Sequence, residues 1–289
     1  MPIDSVHAVW LGAVTLFGLC VGSFLNVVIY RLPEEISVVQ PRSFCPSCKH
    51  GIAWYDNVPV VSWLVLGGHC RHCHKTISPR YALVELLTAA LFVGFYLWLG
   101  WSAHLLVLWT LTACLVASTF IDFDYRIIPD EITLPGMVLG LVVSALVPAI
   151  HGVASPWLGL RQSILGILVG GGSLYLTGLL GNAIFRKESM GGGDVKLLAM
   201  AGSVLGWKLV LLAFFLAPLL ALLPGLIVLF TTKSHEIPYG PFLSLALVIA
   251  MVSGDRILER SGVVQALDVG MPELWRYVAS WWQGNGARP

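Results

Sequence analysis

Charge is what this sequence has least of. Only 11% of its 289 residues are charged, against 57% hydrophobic, where an ordinary soluble domain is about a quarter charged. A soluble fold of this length could not hide so much apolar surface, so the chain needs lipid as its solvent. A strong net charge is also missing: 17 basic and 16 acidic side chains leave +1. That excludes a global basic field, and no nucleic-acid partner is expected. Residues 1–30 contain no Lys or Arg, so the first apolar run lacks the basic stretch of a cleaved signal and reads as a retained span. Period-2 alternation is absent, which argues against a barrel. Every backbone amide at membrane depth needs an internal partner, so the spans are helices.

Apolar runs near the roughly 20 residues a spanning helix requires fall at 7–29, 82–100, 103–121, 132–150 and 159–183. The stretch 194–230 suits two shorter helices turning near Gly206-Trp207-Lys208, and a last run covers 239–255. The expected fold is an all-α polytopic membrane protein of about eight spans, or seven if 194–206 is re-entrant. Arg31, Arg42, Lys49, Arg71, Lys75 and Arg80 place the loop 31–80 in the cytoplasm by the positive-inside rule. Counting from there puts 122–131, 184–193 and 231–238 on the same side, with Arg126, Arg186, Lys187 and Lys233. The organisation expected is a first helix (1–30), a cytoplasmic module (31–80), a membrane domain (81–256) and a tail (257–289). Trp275, Trp281 and Trp282 suggest that the tail lies at the interface.

Cysteine is sparse but patterned. Cys45-Pro-Ser-Cys48 and Cys70-Arg-His-Cys73 are two C-x-x-C pairs separated by 21 residues. Two such knuckles converge to offer four thiolates in a tetrahedron, the arrangement a structural zinc ion requires. Disulfides do not persist in the cytoplasm, and a redox pair would stand alone beside a βαβ unit. A zinc ribbon is therefore expected, with His69, His72 and His74 nearby but superfluous as ligands. Metal binding would supply folding energy to a loop with little core of its own. Cys20 and Cys114 fall inside apolar runs and read as packing residues.

The few acids cluster. Asp122, Asp124, Asp130 and Glu131 lie at the end of one apolar run, and Asp194 follows Gly191-Gly192-Gly193 at the start of another. Ionisable groups beside spans usually mark function. Asp130, after Pro129 and before an apolar run, fits a helix N-cap, and Asp124 fits a solvated boundary. Asp122 directly continues the run ending in Phe120-Ile121. Asp194 could merely complement a helix dipole, but three glycines before it are a poor choice for capping. They permit close approach of a substrate or a facing backbone. Two aspartates sharing a proton can serve as general base and general acid on one bond.

Several segments resemble the bacterial type IV prepilin peptidases, which belong to the Gly-x-Gly-Asp aspartic proteases. They are Gly22-Ser23-Phe24-Leu25-Asn26-Val27-Val28-Ile29-Tyr30-Arg31-Leu32-Pro33, the region Pro41 to Arg80 with both C-x-x-C pairs, and Val84-Glu85-Leu86-Leu87-Thr88. Asp122 through Pro135, Lys187 through Lys196 and Ile237-Pro238-Tyr239-Gly240-Pro241-Phe242 complete the match. The resemblance implies an inner-membrane enzyme that cleaves the leader from prepilins or type II secretion pseudopilins at the cytoplasmic face. It would then methylate the new N-terminus with S-adenosylmethionine. By motif the catalytic pair maps onto Asp122 and Asp194, with Asp130 in reserve. Gly191, Gly192 and Gly193 would admit the substrate, and Cys45, Cys48, Cys70 and Cys73 would hold Zn2+. Asp56 and Glu85 are candidates to meet leader charges.

No Gly-rich strand-turn-helix fingerprint marks a methyl-donor site. The donor is expected between the module and the membrane face, near Asn57, Trp54 or Glu85. A transporter would carry midplane charges and internal symmetry, and neither is visible. A membrane scaffold with a zinc ribbon would leave Gly191 to Asp194 without a purpose. A zinc protease is disfavoured because His-Glu-x-x-His is absent and four thiolates leave no open coordination position.

Overall fold

A computed structural model describes residues 5–186, 190–231 and 238–261. Those residues form helices α1 (Ser5–Arg31), α2 (Val61–Val65), α3 (Arg80–Leu99), α4 (Ala103–Tyr125), α5 (Asp130–Leu146), α6 (Pro156–Phe185), α7 (Gly192–Thr231) and α8 (Gly240–Ser261). All but α2 are long and apolar. Six of them are long and apolar enough to cross a membrane, and α5 falls just short at 17 residues.

Helix α7 is 40 residues long only in name, because Gly206 interrupts it at φ 77° and ψ 172°. A Cβ on Gly170 of α6 would meet Leu198 at 2.6 Å and Val210 at 3.1 Å. On a straight helix those two residues would lie about 18 Å apart, so the chain folds back on itself at Gly206. The turn expected at Gly206-Trp207-Lys208 is present, and counting both halves of α7 gives the eight membrane helices anticipated. At this end Ser144 Oγ lies 2.8 Å from His151 Nε2, and Ser144 and Ser163 both donate to the Ser203 carbonyl. His151 in turn rests against Gly206. Burial there holds His151 neutral, its pKa lowered to about 4.

Helix α4 is the hub. Of the six spans it is the most enclosed, with 61% of its apolar window buried. Ser102 caps it by accepting the Leu105 N–H, and it stops where Arg126 turns left-handed and returns its N–H to the Asp122 carbonyl. Trp109 stacks on Phe92 of α3 at 4.8 Å and donates its indole N–H to the Phe92 carbonyl. In lipid the hydrophobic effect adds little between helices, and close packing at small residues replaces it. A Cβ on Gly18 or Gly22 of α1 would come within 2.7 Å of Ala89 Cα or 2.6 Å of Glu85 Cα. Gly22, the first residue of the opening signature, is thus the place where α1 lies flat on α3.

Cys114 is partly buried against the core, whereas Cys20 lies exposed on α1, so only the first packs as expected. Asp130 is the first residue of α5 and makes no capping bond; Pro129 holds the cap position. Trp275, Trp281 and Trp282 lie outside the described residues.

Candidate active site

The end of the bundle that carries the four cysteines also carries the acids. Asp122 occupies the last turn of α4 and is 6% exposed. Asp194 stands in the first turn of α7, and the two carboxylates lie within electrostatic range of each other. Two backbone contacts bring them there. Gly193 presses on Ile128, just beyond α4, so closely that an added Cβ would sit 2.9 Å from Ile128 Cβ and 3.2 Å from its nitrogen. Gly240, at the start of α8, donates its N–H to Asp122 Oδ2 at 2.9 Å. An added Cβ there would also be 2.9 Å from that oxygen.

The three glycines before Asp194 therefore differ. Gly193 is needed by the facing backbone, Gly191 lies against the Asp194 carboxylate, and Gly192 opens onto free space. In the sequence Gly240 belongs to a motif that gives it no evident task. Its signal was the glycine between two prolines, Pro238 and Pro241, yet nothing local says that it reaches a residue 118 positions away.

The other acids have partners. Asp130 accepts both of its bonds from Lys196 Nζ at 2.7 Å, on an exposed surface. Asp124 is not simply solvated, because it pairs with Arg80 of α3. Asp56 receives a two-pronged contact from Arg71 at 2.6 and 2.7 Å, and that guanidinium holds its carboxyl below the usual range. Glu85 is 7% exposed and accepts the Val60 N–H at 2.7 Å. Trp54 points outward, while Asn57 and Glu85 line a cavity of about 390 Å³ between the module and helices α1 and α3.

The module repeats one local design. Cys45 and Cys70 each donate their N–H five residues ahead, to the carbonyls of His50 and Lys75, and each accepts from the residue four ahead. That residue, Lys49 or His74, is left-handed in both (φ 59° and 54°). A single antiparallel bridge closes each knuckle, Phe44 to Gly51 and His69 to Thr76. All four sulfurs fall within 4.8 Å of one another, and those of Cys45 and Cys73 are 3.9 Å apart. Tetrahedral zinc with Zn–S of about 2.3 Å implies sulfurs roughly 3.8 Å apart, far beyond a disulfide. Burial raises the Cys45 thiol, but the backbone N–H groups of Cys48 and Ser47 bring it down to about 7. The donor set fits a structural zinc ion. His69, His72 and His74 are exposed and outside the cluster.

An apolar groove of about 490 Å³ runs between α1, α4, α5 and α7. It extends from Val143, toward the far end, to Ala117 on α4 and Glu131 and Ile132 on α5. Its lining on α4 stops at Ala117, five residues before Asp122.

Comparison with known proteins covers most of the chain. The Bacterial Peptidase A24 N-terminal domain matches residues 16–99, and the Type IV leader peptidase family matches residues 108–226. A "Prepilin leader peptidase/N-methyltransferase" of Myxococcus xanthus is 42% identical over 227 residues, covering 77% of this chain and 64% of that protein. One from Aeromonas salmonicida is 37% identical over 282 residues, covering 86% and 93%. One from Neisseria gonorrhoeae is 36% identical over 282 residues, covering 89% and 94%. No solved structure matches. The first family model begins within α1 and covers the cysteine module and α3; the second begins within α4 and runs into α7. With the Aeromonas and Neisseria relatives aligned over more than nine-tenths of their length at 36–37% identity, the chain belongs to the type IV leader peptidase family.

Proposed function

We propose that this chain is a prepilin leader peptidase and N-methyltransferase of the bacterial inner membrane, with its cysteine module and acids facing the cytoplasm. The observation that carries the peptidase half is that Asp122 and Asp194 lie within electrostatic range of each other at one end of the bundle. Helices far apart in sequence bring them together, and Gly193 and Gly240 hold them by backbone contact. Adjacent carboxylates share one proton. The ionised member takes a proton from water, whose oxygen attacks the scissile carbonyl. The protonated member gives its proton to the leaving nitrogen as the C–N bond breaks. Gly240 fixes Asp122 Oδ2, leaving Oδ1 to face the water.

The substrate's apolar segment lies along the groove between α4 and α5, whose lining reaches Ala117 and Glu131. Its backbone then passes Gly192 in extended form. Zinc, held by Cys45, Cys48, Cys70 and Cys73, supplies folding energy to the module; four thiolates leave it no open position for catalysis. The basic residues of 31–80 support the cytoplasmic orientation. S-adenosylmethionine supplies the methyl group when bound, and the relatives' methyltransferase activity supports that half.

The test is purified enzyme and a prepilin in detergent, with the product's N-terminus read by mass spectrometry. Loss of the leader, plus one methyl only when the donor is added, is expected. An uncut prepilin would contradict the reading.

A further inference from the structure

The cavity beneath the cysteine module has a chemistry of its own. Its roughly 390 Å³ falls in the range of small-molecule sites. The rings of Tyr30, Phe44, Trp63 and Tyr81 line it. Trp63 is held rigidly, its indole N–H donated to the Ile77 carbonyl at 3.1 Å and its ring against Gly68. Such rings are surfaces on which a purine base stacks.

The charges around the cavity are unevenly committed. Arg31 is buried but donates to the carbonyls of Ser37 and Arg42. Arg71 and Asp56 neutralise each other, and Lys75 lies exposed on the rim. Glu85 remains. It is a buried acid with no basic side chain at ion-pair distance among the described residues; its bonds come from the Val60 N–H and the Ser23 hydroxyl. A buried carboxylate without a cation is costly unless a ligand brings one.

Val60 adds a second sign of a built site. It holds φ 61° and ψ −48°, a conformation that β-branched residues avoid. Backbone strain of this kind clusters at ligand sites, and here it aims the Val60 amide at Glu85. One lining residue also lies next to a partner of the acidic segment. Tyr81 lines the cavity, and the preceding Arg80 pairs with Asp124, two residues beyond Asp122.

We infer that this cavity binds the sulfonium methyl donor S-adenosylmethionine, its adenine among the aromatic rings and its positive sulfur facing Glu85. The inference rests on the methyltransferase half of the proposed function. In the transfer, the lone pair of the freed N-terminal amine attacks the methyl carbon. The N–C bond forms as the S–C bond breaks, sulfur keeps the electron pair as a neutral thioether, and the amine's surplus proton passes to water. Glu85 therefore favours the cationic donor over the neutral product S-adenosylhomocysteine, which speeds product release.

The experiment compares binding of S-adenosylmethionine and S-adenosylhomocysteine to the full-length wild type and Glu85→Gln in detergent, with zinc content measured for both. Gln keeps the shape and removes the charge. The expected result is donor affinity lowered by about tenfold or more, product affinity within about twofold of wild type, and zinc unchanged. Unchanged donor affinity in Glu85→Gln, with a wild type that methylates prepilin, would overturn the site and leave the enzyme reading standing. A wild type that neither binds the donor nor methylates would overturn the reading beneath it. Should Glu85→Gln lose its zinc, ultraviolet cross-linking of labelled donor to the wild type decides. Label within 23–31 or 43–85 supports the site, and label elsewhere refutes it.

Discussion

The cysteine module and the acid pair sit at the same end of one molecule but are held in place by opposite means. The module has little apolar core: Cys45 and Cys70 are among its few buried residues, while Val39, Trp54, Leu64 and Val65 lie exposed. Two short bridges and four converging sulfurs define it. The acid pair instead joins Asp122 of the most enclosed helix, α4, to Asp194 of α7 and is fixed by backbone packing at Gly193 and Gly240. On the proposed reading a metal orders one region, and helix packing orders the other. Each should therefore fail on its own terms.

The largest separation comes from the acids. Asp194→Asn should reduce prepilin cleavage by about 10³-fold or more, while the protein still inserts and keeps its zinc. If zinc were lost as well, the two regions would not be independent. Next is the metal. A strong chelator or Cys45→Ser should remove a contribution of order 10 kcal/mol to the module's folding. Limited proteolysis would then cut within 32–79 while the helical circular dichroism of the spans persists. Resistance of that stretch to protease without metal would defeat the zinc account.

Packing at the acids should show a middle effect. Gly240→Ala pushes a methyl onto Asp122 Oδ2 and should lower kcat by about 10- to 100-fold with little change in KM. Gly192→Ala meets no neighbour in the free enzyme, so its penalty should appear in KM through the crowded substrate. The smallest effect belongs to the exposed Asp130–Lys196 pair. Lys196→Met should change cleavage by less than about threefold, as expected of surface ion pairs.

Much of this was legible in the sequence because it rests on local chemistry. The spans follow from uninterrupted apolar runs, the reversal within 194–230 from Gly206-Trp207-Lys208, and the sulfur cluster from two C-x-x-C spacings. What was hidden depends on distance along the chain. Nothing near Gly240 announces that its amide reaches Asp122, and nothing near Gly193 announces Ile128. Asp124 and Asp56 looked solvated or available until α3 and the second knuckle supplied Arg80 and Arg71. In the sequence Glu85 is a candidate to meet leader charges; only the folded chain shows it buried beside Val60. Long-range contacts of this kind leave no periodicity to read.

The central claim is that Asp122 and Asp194 act as one catalytic pair and that Asp130 does not belong to it. The most direct test measures single-turnover cleavage of one prepilin by Asp122→Asn, Asp194→Asn and Asp130→Asn, each purified with its zinc content verified. The account predicts that the first two lose cleavage alike and that Asp130→Asn stays within about fivefold of wild type. Cleavage that survives Asp122→Asn and disappears in Asp130→Asn would contradict it.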